Sequence, residues 1–159
     1  MDYLYAPWRQ KYFENKENTC PFCLDDTVND EERGVIFRAR TCFGVMNLYP
    51  YSPGHFMIIP YKHEEEIQNL ELQIWQEMSL FVRFGVEILK KRLKARGVNI
   101  GMNLGAEAGA GIAKHCHYHL VPRWSGDTNF ITTIGQIRVC GRDLQEIYKI
   151  LKEEFASKL

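Results

Sequence analysis

The chain of 159 residues has no surplus of charge: 20 basic side chains meet 20 acidic ones, and the formal net charge at pH 7 is zero. Nothing in that balance suggests a basic face that releases counterions from nucleic acid or a polybasic anchor that holds a protein to an acidic membrane; neither is expected as a partner. No run approaches the roughly 20 apolar residues needed to span a bilayer. The opening, MDYLYAPWRQKYFENKE, is charged and aromatic where a signal peptide would be apolar, so the cytoplasm is the expected compartment. Cysteines are few, five in number and therefore odd. In a reducing compartment the close pair Cys20 and Cys23 points to metal or redox chemistry rather than to a structural disulfide, while Cys42 and Cys140 have no partner by spacing and read as buried thiols. No repeat, low-complexity tract or Pro- or Ser-rich linker divides the sequence. Residues 1–159 are expected to form one domain, with 45% hydrophobic and 13% aromatic content to fill its core.

After a loose region from Thr27 to Arg33, apolar or alternating stretches predict strands over Gly34–Ala39, Phe43–Leu48 and Phe56–Tyr61, with YPYSPGH as the turn between the last two. From Glu64 to Arg96 the apolar residues Ile67, Leu70, Ile74, Met78, Phe81, Ile88, Leu89 and Leu93 recur at three- and four-residue intervals, which predicts the longest helix, with Gly97 as its stop. Val98–Leu104 and His115–Arg123 predict two further strands joined by the loop GAEAGAGIAK. Asp143 is placed to cap a terminal helix whose inward face is Leu144, Ile147, Leu151 and Phe155. The sum is an α+β fold: about five antiparallel strands against one long helix, with a second helix at the C-terminus.

The chemistry concentrates in KHCHYHLVPRW, Lys114 to Trp124, where His115, His117 and His119 occupy alternate positions. On an extended strand the three imidazoles line one surface, and Cys116, Tyr118 and Leu120 line the other. Such a row suits a catalytic metal held by three histidines with an open fourth position. It equally suits an imidazole nucleophile, because neighbouring imidazoles disfavour one another's protonation and leave the attacking nitrogen free. The loop just upstream favours the nucleophile: Gly105 to Lys114 holds three glycines and four alanines, so its amides can approach a ligand closely and form an anion-binding concavity. It is no Walker loop, since no Gly-Lys-Ser/Thr follows. CPFC has the spacing of a zinc knuckle and of a redox dithiol; it precedes a polar loop rather than opening a helix, and the chain offers histidines to complete a four-ligand site, so zinc is the better reading. Trp8, Phe43, Trp124 and Phe130 have the flat faces that stack on a purine, and Trp124, Asn129 and Phe130 follow the histidines directly. Arg123 has two uses, a distal phosphate or a surface acid.

HCHYHLV resembles the motif of the histidine triad (HIT) superfamily of nucleotide hydrolases and transferases. SPGHFMIIP, Ser52 to Pro60, resembles that family's Pro-Gly-His strand, and NLGAEAGAGIAKHCHYHLVPRW, Asn103 to Trp124, its phosphate loop and triad. YAPWR, CPFC and PRWSGDTNF together resemble the branch that cleaves diadenosine tetraphosphate by hydrolysis or phosphorolysis. The resemblance implies that His117 attacks the α-phosphorus and becomes transiently nucleotidylated, with His119 and His55 beside the phosphate. It implies that Asn103 contacts phosphate, that Asn47 holds the ribose, and that Gly109, Ala110 and Gly111 supply amide donors. It further implies a structural zinc on Cys20, Cys23, His63 and His115, magnesium arriving with the polyphosphate, and a homodimer. The chain carries Gly111, Ile112 and Ala113 where some branches place a serine or threonine before the triad. Two other functions use the same residues: hydrolysis of a nucleoside phosphoramidate or adenylated amine, and nucleotide binding without catalysis.

Overall fold

The computed structural model describes residues 20–24, 29–135 and 141–159; Trp8, the YAPWR stretch and Cys140 lie outside the described residues. Five strands, β1 (Val35–Arg38), β2 (Cys42–Met46), β3 (Phe56–Pro60), β4 (Gly97–Gly101) and β5 (Tyr118–Arg123), form one antiparallel sheet in the order β1-β2-β3-β5-β4. The helices are α1 (Asp30–Arg33), α2 (Leu72–Lys91), α3 (Phe130–Ile134) and α4 (Leu144–Ala156). This is the α+β arrangement expected from the sequence.

Strand alternation divides the apolar residues between two faces. Phe56 and Ile58 of β3 and Leu120 of β5 point toward α2 and α4, where they pack with Met78, Phe81, Leu89, Leu151 and Phe155 in the main core. Val35, Phe43, Val45, Met57 and Ile59 point the other way and form a second cluster closed by Phe22 of the N-terminal segment. The helices approach the sheet closely at Gly85, where an added Cβ would lie 2.7 Å from both Leu120 and Phe56. The helix-covered face is therefore a tight structural back. The opposite face is left for chemistry.

Several boundaries differ from the sequence expectation. Part of the supposed loose region is the short helix α1, capped by the Asn29 side chain on Glu31 N–H and ended by Gly34 at a φ of 70°. Of the long periodic stretch, only Leu72–Lys91 is α-helical; Ile67–Asn69 is a single 3-10 turn, separated by Leu70 in extended conformation. Gly97 does not stop α2 but opens β4, and the chain leaves the helix through Lys94 at a φ of 56°. β4 ends at Gly101 rather than Leu104, and β5 begins at Tyr118 rather than His115. The physical reason for the last is that the preceding backbone groups are spoken for: Cys116 N–H donates to the Glu64 carbonyl at 2.7 Å, and the His115 carbonyl accepts from the His117 ring at 2.8 Å. In α4, Asp143 caps as expected, but Leu144 is exposed and Tyr148 takes the inward place, its hydroxyl donating to the Val35 carbonyl at 3.2 Å.

Candidate active site and metal centre

His119 is the triad histidine inside the ladder, paired with Met57 of β3 and Gly101 of β4. His115 and His117 approach β5 in irregular backbone, yet the alternation of faces persists. Cys116, Tyr118 and Leu120 belong to the helix-side core, and His117 packs against Phe22 on the other side. His55 joins this face from the turn before β3, two residues ahead of Met57 and so diagonal to His119. Its turn needs glycine: Gly54 has a φ of 85°, and a Cβ there would meet Leu93 at 2.9 Å.

Each ring's surroundings assign its protons. A carbonyl oxygen only accepts, and a neutral imidazole has one N–H and one bare nitrogen. The His117 Nδ1 lies 2.8 Å from the His115 carbonyl, so Nδ1 carries the hydrogen and Nε2 is bare. His55 Nδ1 accepts from the Tyr51 N–H at 3.1 Å, which puts the hydrogen on Nε2; that N–H donates to His119 Nδ1 at 2.9 Å. His119 must then carry its own hydrogen on Nε2. Asn47 supports the relay: its Oδ1 accepts from Tyr49 N–H at 2.9 Å, which turns its amide nitrogen to His55 Nδ1 at 3.3 Å.

Burial keeps these rings neutral. Desolvation, and then the neighbouring His119 and His117, push His55 down to about 3; desolvation, and then His117, push His119 down to about 4. His117 is lowered by burial against the opposing pull of its bond to the His115 carbonyl. The face thus combines a bare ring nitrogen on His117 with an N–H donor on His119, their ring centroids 4.7 Å apart.

The ligand atoms of Cys20, Cys23, His63 and His115 all lie within 4.8 Å of one another. Cys20 Sγ is 3.4 Å from His115 Nδ1, and Cys23 Sγ is 3.2 Å from His63 Nδ1. Tetrahedral zinc with bonds of about 2.0–2.3 Å has edges of roughly 3.3–3.8 Å, and two sulfurs with two imidazoles are a donor set that suits it. The buried His115 ring donates its Nε2–H to the Pro60 carbonyl at 2.8 Å, which leaves Nδ1 as the ligand nitrogen and fixes the ring's direction. These four residues fit the metal, and the geometry separates His115 from its two triad neighbours.

The remaining residues divide. Asn47 stands at the histidine face; Asn103 follows β4 by two residues and is half-buried. Two of the loop amides are already used, Gly109 N–H on the Ala106 carbonyl at 2.9 Å and Ala110 N–H on the Gly105 carbonyl at 3.3 Å, so the expectation that both would face an anion is corrected. Their bonds turn the loop at Gly109, whose φ is 86°. Trp124 packs on the helix-side core, its indole N–H donating to the Leu93 carbonyl at 3.1 Å and Arg142 lying over its ring, so it does not face the histidines. Asn129 accepts from Ile131 N–H as the cap of α3, Phe130 is 76% exposed, and Arg123 is paired with Asp127 at 2.6 Å. Phe43 is buried and stacked on Tyr61. Sequence reasoning missed Phe22 and Tyr51, which contact the histidines directly. Phe22 stood between the cysteines and Tyr51 in the turn before His55. The Pro60 and His115 carbonyls carried no signal, being backbone.

A HIT domain family model matches residues 29–126. An AP-4-A phosphorylase of Mycobacterium tuberculosis is 37% identical over 157 residues, 98% of this chain and 80% of that protein. A zinc-bound histidine triad family protein from Mycobacterium smegmatis shares the fold at a TM-score of 0.65 and 24% identity, over 79% of this chain and 86% of the other. Plasmodium falciparum diadenosine triphosphate hydrolase, in complex with Cyclomarin A, does so at 0.64 and 19%, over 98% and 99%.

Proposed function

The chain belongs to the HIT family, and from that premise we propose that it is an enzyme cleaving dinucleoside polyphosphates, diadenosine tetraphosphate first among them, through a nucleotidyl-His117 intermediate. The observation that carries the proposal is the His117 ring, neutral and tied by Nδ1–H to the His115 carbonyl, which leaves Nε2 bare. In the first step the Nε2 electron pair attacks the α-phosphorus; the bond from that phosphorus to the bridging oxygen breaks, and ATP leaves with the electron pair. In the second step an acceptor oxygen attacks the same phosphorus, the P–N bond breaks and its electron pair returns to Nε2; a water acceptor releases one proton to solvent, and phosphate attacks through an oxygen that is already ionised. Water as acceptor releases AMP, inorganic phosphate releases ADP. The relative at 37% identity is named a phosphorylase, so phosphate is the acceptor we expect.

His119 donates its Nε2–H to a phosphate oxygen as charge develops there, and His55 holds His119 in that tautomer. Asn47 and Asn103 contact ribose and phosphate. Within the loop Gly111 is the amide donor left to the anion, Gly109 and Ala110 serving to shape the turn. Asn129 and the exposed Phe130 take the base side, with Trp124 anchoring the segment that carries them. Zinc on Cys20, Cys23, His63 and His115 is structural, binding the N-terminal segment to the sheet. Magnesium travels with the polyphosphate, and the working form is a cytoplasmic homodimer of one-domain chains. No helix among the described residues is long and apolar enough to cross a membrane.

The test is incubation with diadenosine tetraphosphate, with and without phosphate, and chromatography of the products. ADP plus ATP that requires phosphate supports the reading, and AMP plus ATP without phosphate supports its hydrolytic form. Two ADP would place the attack at a β-phosphorus and count against it; so would binding with no product.

A further inference from the structure

The turn at Cys20–Cys23 presents its residues unevenly. Pro21 and Cys23 are exposed, whereas Phe22 between them is turned inward and only 9% exposed, held by Cys23 N–H on the Cys20 carbonyl and Leu24 N–H on its own carbonyl. Its ring joins Val35, Phe43, Val45, Met57 and Ile59 in the apolar cluster of the chemical face. It also meets the His117 imidazole edge-on, 4.9 Å between centroids at 67°. His117 also meets His119, at 4.7 Å and 69°. The His117 ring is thus in contact with two other rings, Phe22 and His119. The bond from Nδ1 to the His115 carbonyl fixes one atom of the imidazole, and the edge-on contact with Phe22 is a second constraint on the ring's plane.

We infer that Phe22 is a positioning residue for the nucleophile: carried between the two cysteines, it holds the His117 ring in the orientation that presents Nε2. The N-terminal turn therefore sets the reactive geometry of His117 in addition to completing the metal-ligand set. The inference rests on His117 being the attacking residue. An attacking atom displaced by an ångström loses much of the advantage of a fixed approach, so the cost belongs in kcat rather than in binding.

The test compares Phe22→Leu, which keeps apolar bulk without the flat ring, with Phe22→Tyr, which keeps the ring. Three quantities are read: zinc per chain, kcat and KM on diadenosine tetraphosphate, and the imidazole nitrogen signals in long-range proton–nitrogen spectra. Phe22→Leu is expected to hold zinc as the parent does, to lose on the order of tenfold to a hundredfold in kcat with KM within about threefold, and to average the two His117 nitrogen signals while those of His55 stay put. Phe22→Tyr is expected to keep most of kcat. Parental kcat with unchanged His117 signals in Phe22→Leu overturns the inference, and so does loss of zinc or of folding in that variant, which would make Phe22 merely part of the knuckle. If the parent does not cleave the substrate, the proposed function fails while the spectra still decide whether Phe22 orients His117.

Discussion

A neutral imidazole has one donor and one acceptor, so whatever occupies one nitrogen dictates the task of the other. Here the Tyr51 N–H dictates His55, His55 dictates His119, and two backbone carbonyls dictate His117 and His115. The scheme works only while the rings stay uncharged, and burial at His55 enforces that by pushing it from 6.5 down to about 3. Between those values the unfolded chain binds a proton at His55 that the folded chain does not. The stabilising contribution is therefore complete above pH 6.5 and is lost as the pH falls toward 3, at about 1.4 kcal/mol per pH unit inside the window. His119 acts with the same sign between 6.5 and about 4. Urea unfolding of the parent and of His55→Gln across the acid range checks this: the parent's slope should be the steeper, and equal slopes would contradict the assignment. The common face of the three triad histidines was legible in the sequence, because alternation along HCHYH is a local pattern, whereas His55 entered only through the resemblance of SPGHFMIIP to the family's Pro-Gly-His strand. The tautomers were not legible, because they depend on the Pro60 and His115 carbonyls and the Tyr51 amide, groups that every residue possesses and only the fold can aim.

At the scale of elements, the sheet's two faces separate tasks that would otherwise compete. The back must pack tightly against α2, and the absence of a side chain at Gly85 is what allows it. Gly85→Ala would gain helix propensity of up to about 1 kcal/mol but force a Cβ to within 2.7 Å of Leu120 and Phe56. Overpacking of that kind costs about 1–3 kcal/mol, so a net loss of stability is expected in denaturant titration; a variant more stable than the parent would show that α2 slides outward freely. The period of apolar residues revealed α2 and the cap at Asp143 revealed α4, since both signals are carried within the element itself. The limits of α2, β4 and β5 were less legible. Apolar spacing ran on through the 3-10 turn at Ile67–Asn69, and the strand pattern ran back to His115, where distant partners such as the Glu64 carbonyl had already claimed the backbone.

Across the whole molecule, residues 20–24 reach the sheet through Phe22 and through two cysteines whose counterparts, His63 and His115, lie 40 and 95 positions onward for their paired contacts. A metal there would close long loops and tie the N-terminal segment to the strand that carries the triad, which would make its binding energy part of folding. Removing zinc with a chelator, or Cys20→Ser, should lower the thermal midpoint by about 5–15 °C, measured by calorimetry, with activity lost only as the fold loosens. Immediate loss of turnover at unchanged stability would instead favour a catalytic ion. The central claim concerns one atom, His117 Nε2, and rapid mixing with diadenosine tetraphosphate followed by an alkaline quench and peptide mass analysis tests it most directly. An adenylyl increment on the peptide at His117, absent in His117→Asn, is the result expected; the increment on His119 or His55, or full turnover by His117→Asn, would contradict it.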